Sequence, residues 1–265
     1  MKIAIVGCGY VGTLLAKNLI KDSHEVTIFT RSNDRQKELL ATFSNVILLP
    51  SYNEENFKPL LQDIEKVVIT VAPNKADDYY NTYFNTTLAI SKSINPATQI
   101  IYTSSTSVYG DCNGEIVTES FNATPATKEG VILIESEQNI LSTTNGCVLR
   151  LGEIYGPGRE IENRLKKMEG RSFPGNGETI TNLIHVDDIV KAICFAMAKP
   201  LTGIYNVVND THEKRKEFYN KLCKKYAIAP VEWDSTLKSR HGGNRIVSNQ
   251  KLKNSRFTFS HPFYE

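Results

Sequence analysis

Residues 1–20, MKIAIVGCGYVGTLLAKNLI, decide the fold. Four apolar residues, Ile3 to Val6, run without a polar break into Gly7-Cys8-Gly9-Tyr10-Val11-Gly12, and a helix-like stretch follows from Thr13. An uninterrupted β-branched run suits a strand buried on both faces of a parallel sheet. The glycines have separate jobs: Gly7 for a tight turn, Gly9 for backbone approach to a pyrophosphate, Gly12 for close helix–strand packing. The helix start then offers amide donors and a positive dipole to phosphate. The glycine pattern is weak alone; between a strand and a helix it points to a dinucleotide site. A glycine-rich turn without a ligand is the plainer alternative.

The same rhythm continues outward. Strand-like runs at 24–30, 45–50, 66–73, 99–105 and 146–152 alternate with helix-like stretches at 11–21, 33–43, 53–63, 76–94 and 125–142. Alternating βα units of this length predict an α/β, Rossmann-type doubly wound parallel sheet. Beyond 152 the pattern turns irregular, with GPG at 156–158 and PGNG at 174–177. The expected organisation is a cofactor domain over 1–152 and a smaller C-terminal substrate lobe over 153–265, with 183–200 packing back on the sheet.

Bulk composition excludes several classes. With 40% hydrophobic and 23% charged residues the chain is ordinary globular protein, and a formal charge of +2 leaves no footprint for nucleic acid or an anionic membrane. The most basic segment, 213–226, places Phe218, Leu222 and Tyr226 on one helical stripe, so its lysines read as a solvated face. Five scattered cysteines without a C-x-x-C fit neither a disulfide framework nor a zinc site. No apolar run reaches the length of a membrane helix. The reading is a cytoplasmic protein with a small-molecule substrate, no metal, and no nucleic-acid or membrane partner.

The second strand bears on the cofactor. An NAD-binding unit usually ends it with an acid for the ribose hydroxyls. Here it ends Phe29-Thr30-Arg31-Ser32, with no acid before Asp34. An arginine there can pair with the 2′-phosphate of NADP(H), assisted by the Thr30 and Ser32 hydroxyls. NADP(H) is therefore expected over NAD(H), with a solvated Arg31 as the alternative.

Five stretches carry a resemblance. GCGYVG (7–12), TSSTSVYG (103–110), LRLGEIYGPG (149–158), NLIHVDDIVKAI (182–193) and GIYNVVN (203–209) occur in this order. The chain resembles the extended short-chain dehydrogenases/reductases, within the NAD-dependent epimerase/dehydratase family, over nearly its whole length. The resemblance implies a cofactor set that also takes in Tyr10, Val11, Ala72 and Thr103. It places Ser105 as the hydroxyl that holds the reacting oxygen, and a Tyr-x-x-x-Lys pair on the next helix, usually followed by a glutamate. Aligning that glutamate on Glu137 puts Glu129 at the Tyr position and Leu133 at the Lys position, so the chain is an atypical member without the pair. Glu129 becomes the candidate acid/base, against the plainer reading of a solvated first-turn residue favoured by the helix dipole.

Further expectations follow for the flanking residues. Thr124 and Pro125 suit the cap and first position of the helix over 125–142. Its run Val131-Ile132-Leu133-Ile134 predicts burial nearly all round, against the sheet and a partner subunit, hence a homodimer with a four-helix interface. Arg159, after GPG, is the candidate substrate-binding cation, and His185 reads mainly as structural. Two functions compete: an NADP(H)-dependent oxidoreductase or epimerase/dehydratase-like enzyme on an unknown small molecule such as a sugar nucleotide, and a non-catalytic NADP(H)-binding regulatory or redox-sensing protein.

Overall fold

The computed structural model describes residues 1–73, 78–237 and 243–265. Residues 76 and 77, where the fourth helix-like stretch begins, lie outside them. The first elements along the chain are β1 (Lys2–Val6), α1 (Tyr10–Lys21), β2 (Glu25–Thr30), α2 (Asn33–Leu40), β3 (Val46–Leu48), α3 (Glu54–Leu61), β4 (Lys66–Ile69), α4 (Thr86–Ser93) and β5 (Gln99–Ser105). A one-turn π-helix, Asn81–Asn85, leads into α4. There follow β6 (Ile116–Val117), α5 (Lys128–Leu141), β7 (Gly146–Leu151), β8 (Glu153–Tyr155), α6 (Ile161–Lys167), β9 (Ser172–Pro174), β10 (Leu183–His185) and α7 (Val186–Ala198). The last are β11 (Gly203–Val207), α8 (Arg215–Tyr226), β12 (Glu232–Asp234), β13 (Ile246–Val247) and α9 (Gln250–Asn254).

Residue contacts divide the chain into two interleaved compact units: 1–104, 131–150 and 190–205, and 105–130, 151–189 and 206–265. The sequence places a boundary at 152 with 183–200 returning to the sheet; by residue contacts the chain passes between units after residues 104, 130, 150, 189 and 205.

The first unit is built on a seven-stranded sheet ordered β11-β7-β5-β4-β1-β2-β3. The pairs β3–β2, β2–β1, β1–β4 and β4–β5 are parallel. This is the expected doubly wound sheet. Strand order reverses between β1 and β4, and ligands of such sheets bind at the carboxyl ends of the strands there. Ile3, Ala4, Ile5 and Val6 are wholly buried, as their unbroken apolar run requires. Helix α1 covers the sheet through Leu15, Ala16 and Leu19, while Phe57, Leu61 and Ile90 of α3 and α4 enter a core shared with Ala4, Val6, Ile69 and Tyr102.

Helix α5 departs from expectation at its start. It starts at Lys128, and its cap is Thr127, whose hydroxyl accepts from Gly130 N at 3.1 Å, rather than Thr124. Pro125 packs over Gly130 instead of opening the helix; a Cβ on Gly130 would lie 2.6 Å from the Pro125 Cβ. Within one chain the apolar run is covered on one side, with Leu133 buried and Val131 45% exposed, and the expectation places a partner subunit on the other. A sheet hides one stripe of a helix, and consecutive residues point in four directions.

The helix is locked by charge. Glu137, 2% exposed, receives Arg150 Nη2 at 2.6 Å and Nε at 3.0 Å, and the Ser104 hydroxyl at 2.6 Å. One carboxylate thus joins α5, β7 and β5.

The second unit has short parallel pairs, β8–β10, β9–β12 and β6–β13. Its core includes Leu165, Phe173, Phe218, Tyr219, Leu222 and Cys223. The expected α8 stripe is present, since Phe218 and Leu222 are buried and Tyr226 packs against that core. Among the described residues no helix is long and apolar enough to cross a membrane.

Because Glu137 and Arg150 are both buried, removing one partner strands the other charge. Glu137→Ala should lower unfolding free energy by about 3–5 kcal/mol, measured by urea denaturation. Glu137→Leu combined with Arg150→Met should recover most of that loss.

Candidate functional site

The glycine turn follows β1 directly. Gly7 has φ +89°, and a Cβ there would meet Val71 backbone at 2.7 Å. Gly12, in the first turn of α1, would place a Cβ 2.6 Å from Gly7 O and 2.8 Å from Thr70 Oγ1. The helix therefore approaches β1 and the end of β4 more closely than any side chain permits. Gly9 caps α1, and a Cβ on it would meet nothing within 4 Å. Among the described residues nothing crowds Gly9 at the helix N-terminus, where the first-turn amides lack intrahelical partners. These are the packing and approach roles that a pyrophosphate cradle needs. Val11 is nearly buried, and Tyr10 opens the helix.

The end of β2 is arranged otherwise than the sequence implied. Arg31 lies over the Tyr52 ring, 5.5 Å from its centroid, and donates to Thr82 Oγ1 at 3.3 Å. Ser32 caps α2, its hydroxyl accepting from Arg35 N at 3.3 Å, while Thr30 Oγ1 accepts from Ser32 N at 3.4 Å. The side chain that reaches the glycine turn is Arg35. Its Nη2 donates to Cys8 O at 2.8 Å and to Thr13 Oγ1 at 3.0 Å, and its Nε to Cys8 O at 3.1 Å. Arg35 was missed in the sequence because one helical turn beyond the strand end carries no motif. Cys8 itself is buried, and burial pushes its thiol up against the lowering influence of Thr13 and Arg35.

Ala72, just past β4, is exposed, and the Thr103 hydroxyl donates to Ile69 O at 3.1 Å. All ten expected cofactor residues thus fall in the first unit. Alternation along β5 separates the next two serines. Ser104 turns inward to Glu137, whereas Ser105 lines a cavity of about 430 Å³ in the second unit, its hydroxyl accepting from Ser107 N at 3.1 Å. Gly152, Glu153, Thr179, Arg215 and Arg245 share that lining.

The other candidates stand apart from this cavity. Glu129 lies partly exposed in the first turn of α5 and is not among its lining residues. Arg159 is exposed on the GPG loop, its N–H donating to Gly156 O at 2.8 Å, and lines a neighbouring 410 Å³ cavity with Glu160, Asn163 and Lys167. Leu133, at the position where the resemblance puts a lysine, is 2% exposed.

His185, Asp187 and His261 bring potential metal-ligand atoms within 4.8 Å of one another. The two imidazoles stack at 3.7 Å with 29° between planes, and His185 Nδ1 accepts from Asp187 N at 3.2 Å. Lone pairs lie in the ring planes, so nearly parallel stacked rings do not converge on one ion. Beside the cluster, buried Asp188 clamps the C-terminal segment, accepting from Ser260 N at 2.6 Å and His261 N at 2.9 Å. Burial first, then the His261 ring, hold His185 below the ordinary histidine value of 6.5, against the raising influence of Asp187 and Asp188. The folded state disfavours the proton, so this contribution to stability is complete above 6.5 and is lost as pH falls through the lowered value. The urea midpoint should fall as pH drops from about 7 to about 5, with a shallower fall in His185→Gln. His212, lowered likewise by burial, adds to both slopes, so the difference between the proteins is the measurement.

Comparison with known proteins places the geometry in a family. The model of the NAD dependent epimerase/dehydratase family matches residues 3–208. Protein YeeZ of Escherichia coli K12 is 30% identical over 98% of this chain and 96% of its own. A conserved protein from Silicibacter pomeroyi has the same fold, with TM-score 0.79 at 23% identity over 99% of this chain and 95% of its own. The dTDP-glucose 4,6-dehydratase of Bacillus anthracis has TM-score 0.78 at 18% identity over 96% of this chain and 89% of its own. That dehydratase was solved with NAD, as were other sugar-nucleotide enzymes of this fold. The expectation of NADP(H) over NAD(H) is thereby corrected. Its physical basis also weakens, because Arg31 is engaged by Tyr52 and Thr82, and Ser32 by its helix. Matched by the family model over most of its length and aligned almost end to end with YeeZ, the chain belongs to the NAD-dependent epimerase/dehydratase family.

Proposed function

We propose that the protein is an NAD(H)-dependent oxidoreductase of the epimerase/dehydratase kind, acting on a small molecule such as a sugar nucleotide. The observation that carries this reading is the Ser105 hydroxyl on the wall of a 430 Å³ cavity, in a chain that also builds the glycine turn. NAD(H), when bound, supplies hydride transfer. Gly7, Gly9 and Gly12 let the amides at the start of α1 hold its pyrophosphate. Ser105 hydrogen-bonds the reacting oxygen, and Glu129, at the position where the resemblance expects tyrosine, is the candidate for proton transfer from outside the cavity lining. Arg159 belongs to this reading as a cation beside the pocket rather than within it.

A second reading, cofactor binding without turnover in a regulatory or redox-sensing protein, is favoured by buried Leu133, which offers no ammonium to a nicotinamide ribose. Fluorescence titration should show NADH binding more tightly than NADPH, whose 2′-phosphate would have to draw Arg31 from its partners. Assays over UDP-, GDP- and dTDP-sugars should then detect a turnover that Ser105→Ala reduces about ten- to hundredfold and Glu129→Gln abolishes without loss of NADH affinity. Silence in every arm with NADH binding intact establishes the second reading.

Assembly as a homodimer through α4 and α5 is part of the proposal. The two helices lie side by side, Asn139 donating to Phe84 O at 3.3 Å and Thr87 Oγ1 at 3.2 Å. Val131 and Leu141 of α5 are exposed by 45 and 36%, and Tyr80, just before the π-helix that leads into α4, by 41%. The cytoplasm suits five cysteines that are all free thiols. Sedimentation at micromolar concentration should show a dimer, and Val131→Glu should yield monomer; a monomeric wild type would refute the assembly.

A further inference from the structure

We propose that the cavity of the second unit seats an oxyanion of its substrate, a phosphate group or a carboxylate, on Arg215; this rests on reading that cavity as the substrate pocket. Arg215 opens α8 on a fixed backbone. Its N–H donates to Thr179 O at 2.9 Å, and Lys216 N donates to Gly177 O at 2.9 Å, so the 177–179 loop and the helix start are tied together. Gly177 has φ +77°, and a Cβ there would come within 2.7 Å of the Trp233 ring. Glycine is what lets the indole lie against this loop.

The side chain is fixed as firmly as its backbone. Trp233 and Tyr219 stack with centroids 6.0 Å apart and 9° between planes. The Arg215 guanidinium sits 5.3 Å from the Tyr219 centroid and 5.8 Å from that of Trp233, and its Nη2 donates to Tyr219 Oη at 3.1 Å. Its Nε is buried and makes no hydrogen bond. A planar guanidinium held by two rings loses little freedom when an anion arrives, and its remaining donors suit a two-oxygen acceptor.

Charge in the surroundings favours the same ligand. Among the described residues the charged ones lining the cavity are Glu153, Arg215 and Arg245. Glu153 is paired with Arg164, and Arg245 donates to Gly110 O at 2.6 Å. Of the carboxylates flanking this part of the chain, Glu178 is committed to Lys214 at 2.7 Å and Glu213 to Lys221 at 2.5 Å. Among the described residues Arg215 has no carboxylate partner. A half-buried guanidinium on the cavity wall, without a carboxylate of its own, suits an anion from outside the chain.

Trp233 is the chain's single tryptophan, so its emission reports on this site alone. Inorganic phosphate and malonate are titrated into the full-length protein at constant ionic strength, with chloride as the control. A saturable change with phosphate or malonate, absent with chloride, is the expected result, and the tighter of the two identifies the oxyanion. Arg215→Met should weaken the response about tenfold or more. Arg215→Lys, which keeps the charge but not the fork, should weaken it less and serves if the methionine variant does not fold. No saturable response in the wild type overturns the proposal, and so does unchanged affinity in either folded variant. NADH affinity is measured on the same samples. Lost NADH binding counts against the enzymatic reading, whereas intact NADH binding with an unresponsive Trp233 counts against the oxyanion seat alone.

Discussion

One buried carboxylate holds the first unit in register. Glu137 gathers Arg150 from β7 and Ser104 from β5 onto α5, and each of these groups is almost wholly out of water. Two unpaired charges in such surroundings would each cost several kcal/mol, so the helix can occupy only the position that pairs them. The constraint reaches along β5. With Ser104 committed inward, alternation sends Ser105 to the opposite side, and the 430 Å³ cavity acquires its hydroxyl. The pair is weak evidence for net stability and stronger evidence for uniqueness, since a hydrophobic substitute would tolerate sliding.

What was legible in the sequence was local or periodic. The β1–turn–α1 unit could be read because its strand, glycines and helix are consecutive in the chain, although the contacts that require Gly7 and Gly12 include Val71 and Thr70 at the far end of β4. The strands were legible because an interior parallel strand has nothing polar to show, although β3 and β4 are shorter than their apolar runs. The helix over 125–142 was legible as a helix but not in its first turn. Its start depends on Pro125 packing over Gly130, a three-dimensional contact that outweighs the preference of proline for the first helical position.

The candidate site was less legible, for a different reason. Arg31 looked like a phosphate ligand because its position matched a rule, yet Thr82, fifty-one residues away, takes its donor. Arg35 and Arg215 carried no signal at all. One acts across an αβ connection on Cys8, and the other is defined by Gly177, Tyr219 and Trp233, which no spacing links. Cations acquire meaning from what surrounds them, and long-range surroundings are what a single sequence does not display.

The interleaving of the two units bears on how the chain is made. Strand β11, at one edge of the seven-stranded sheet, is contributed by residues 203–207. On the ribosome, β1 to β5 can pair as they emerge, but the sheet cannot gain that edge until Val207 has left the exit tunnel. By then the intervening 105–130 and 151–189 segments, which belong to the other unit, are already outside and unfinished. Neither unit can therefore complete itself before the other is well advanced, and the β7 edge waits unpaired through that interval. Such an edge is a template for wrong pairing. The nascent chain is thus most exposed to aggregation late in synthesis, and truncations ending before residue 203 would leave that edge uncovered for good.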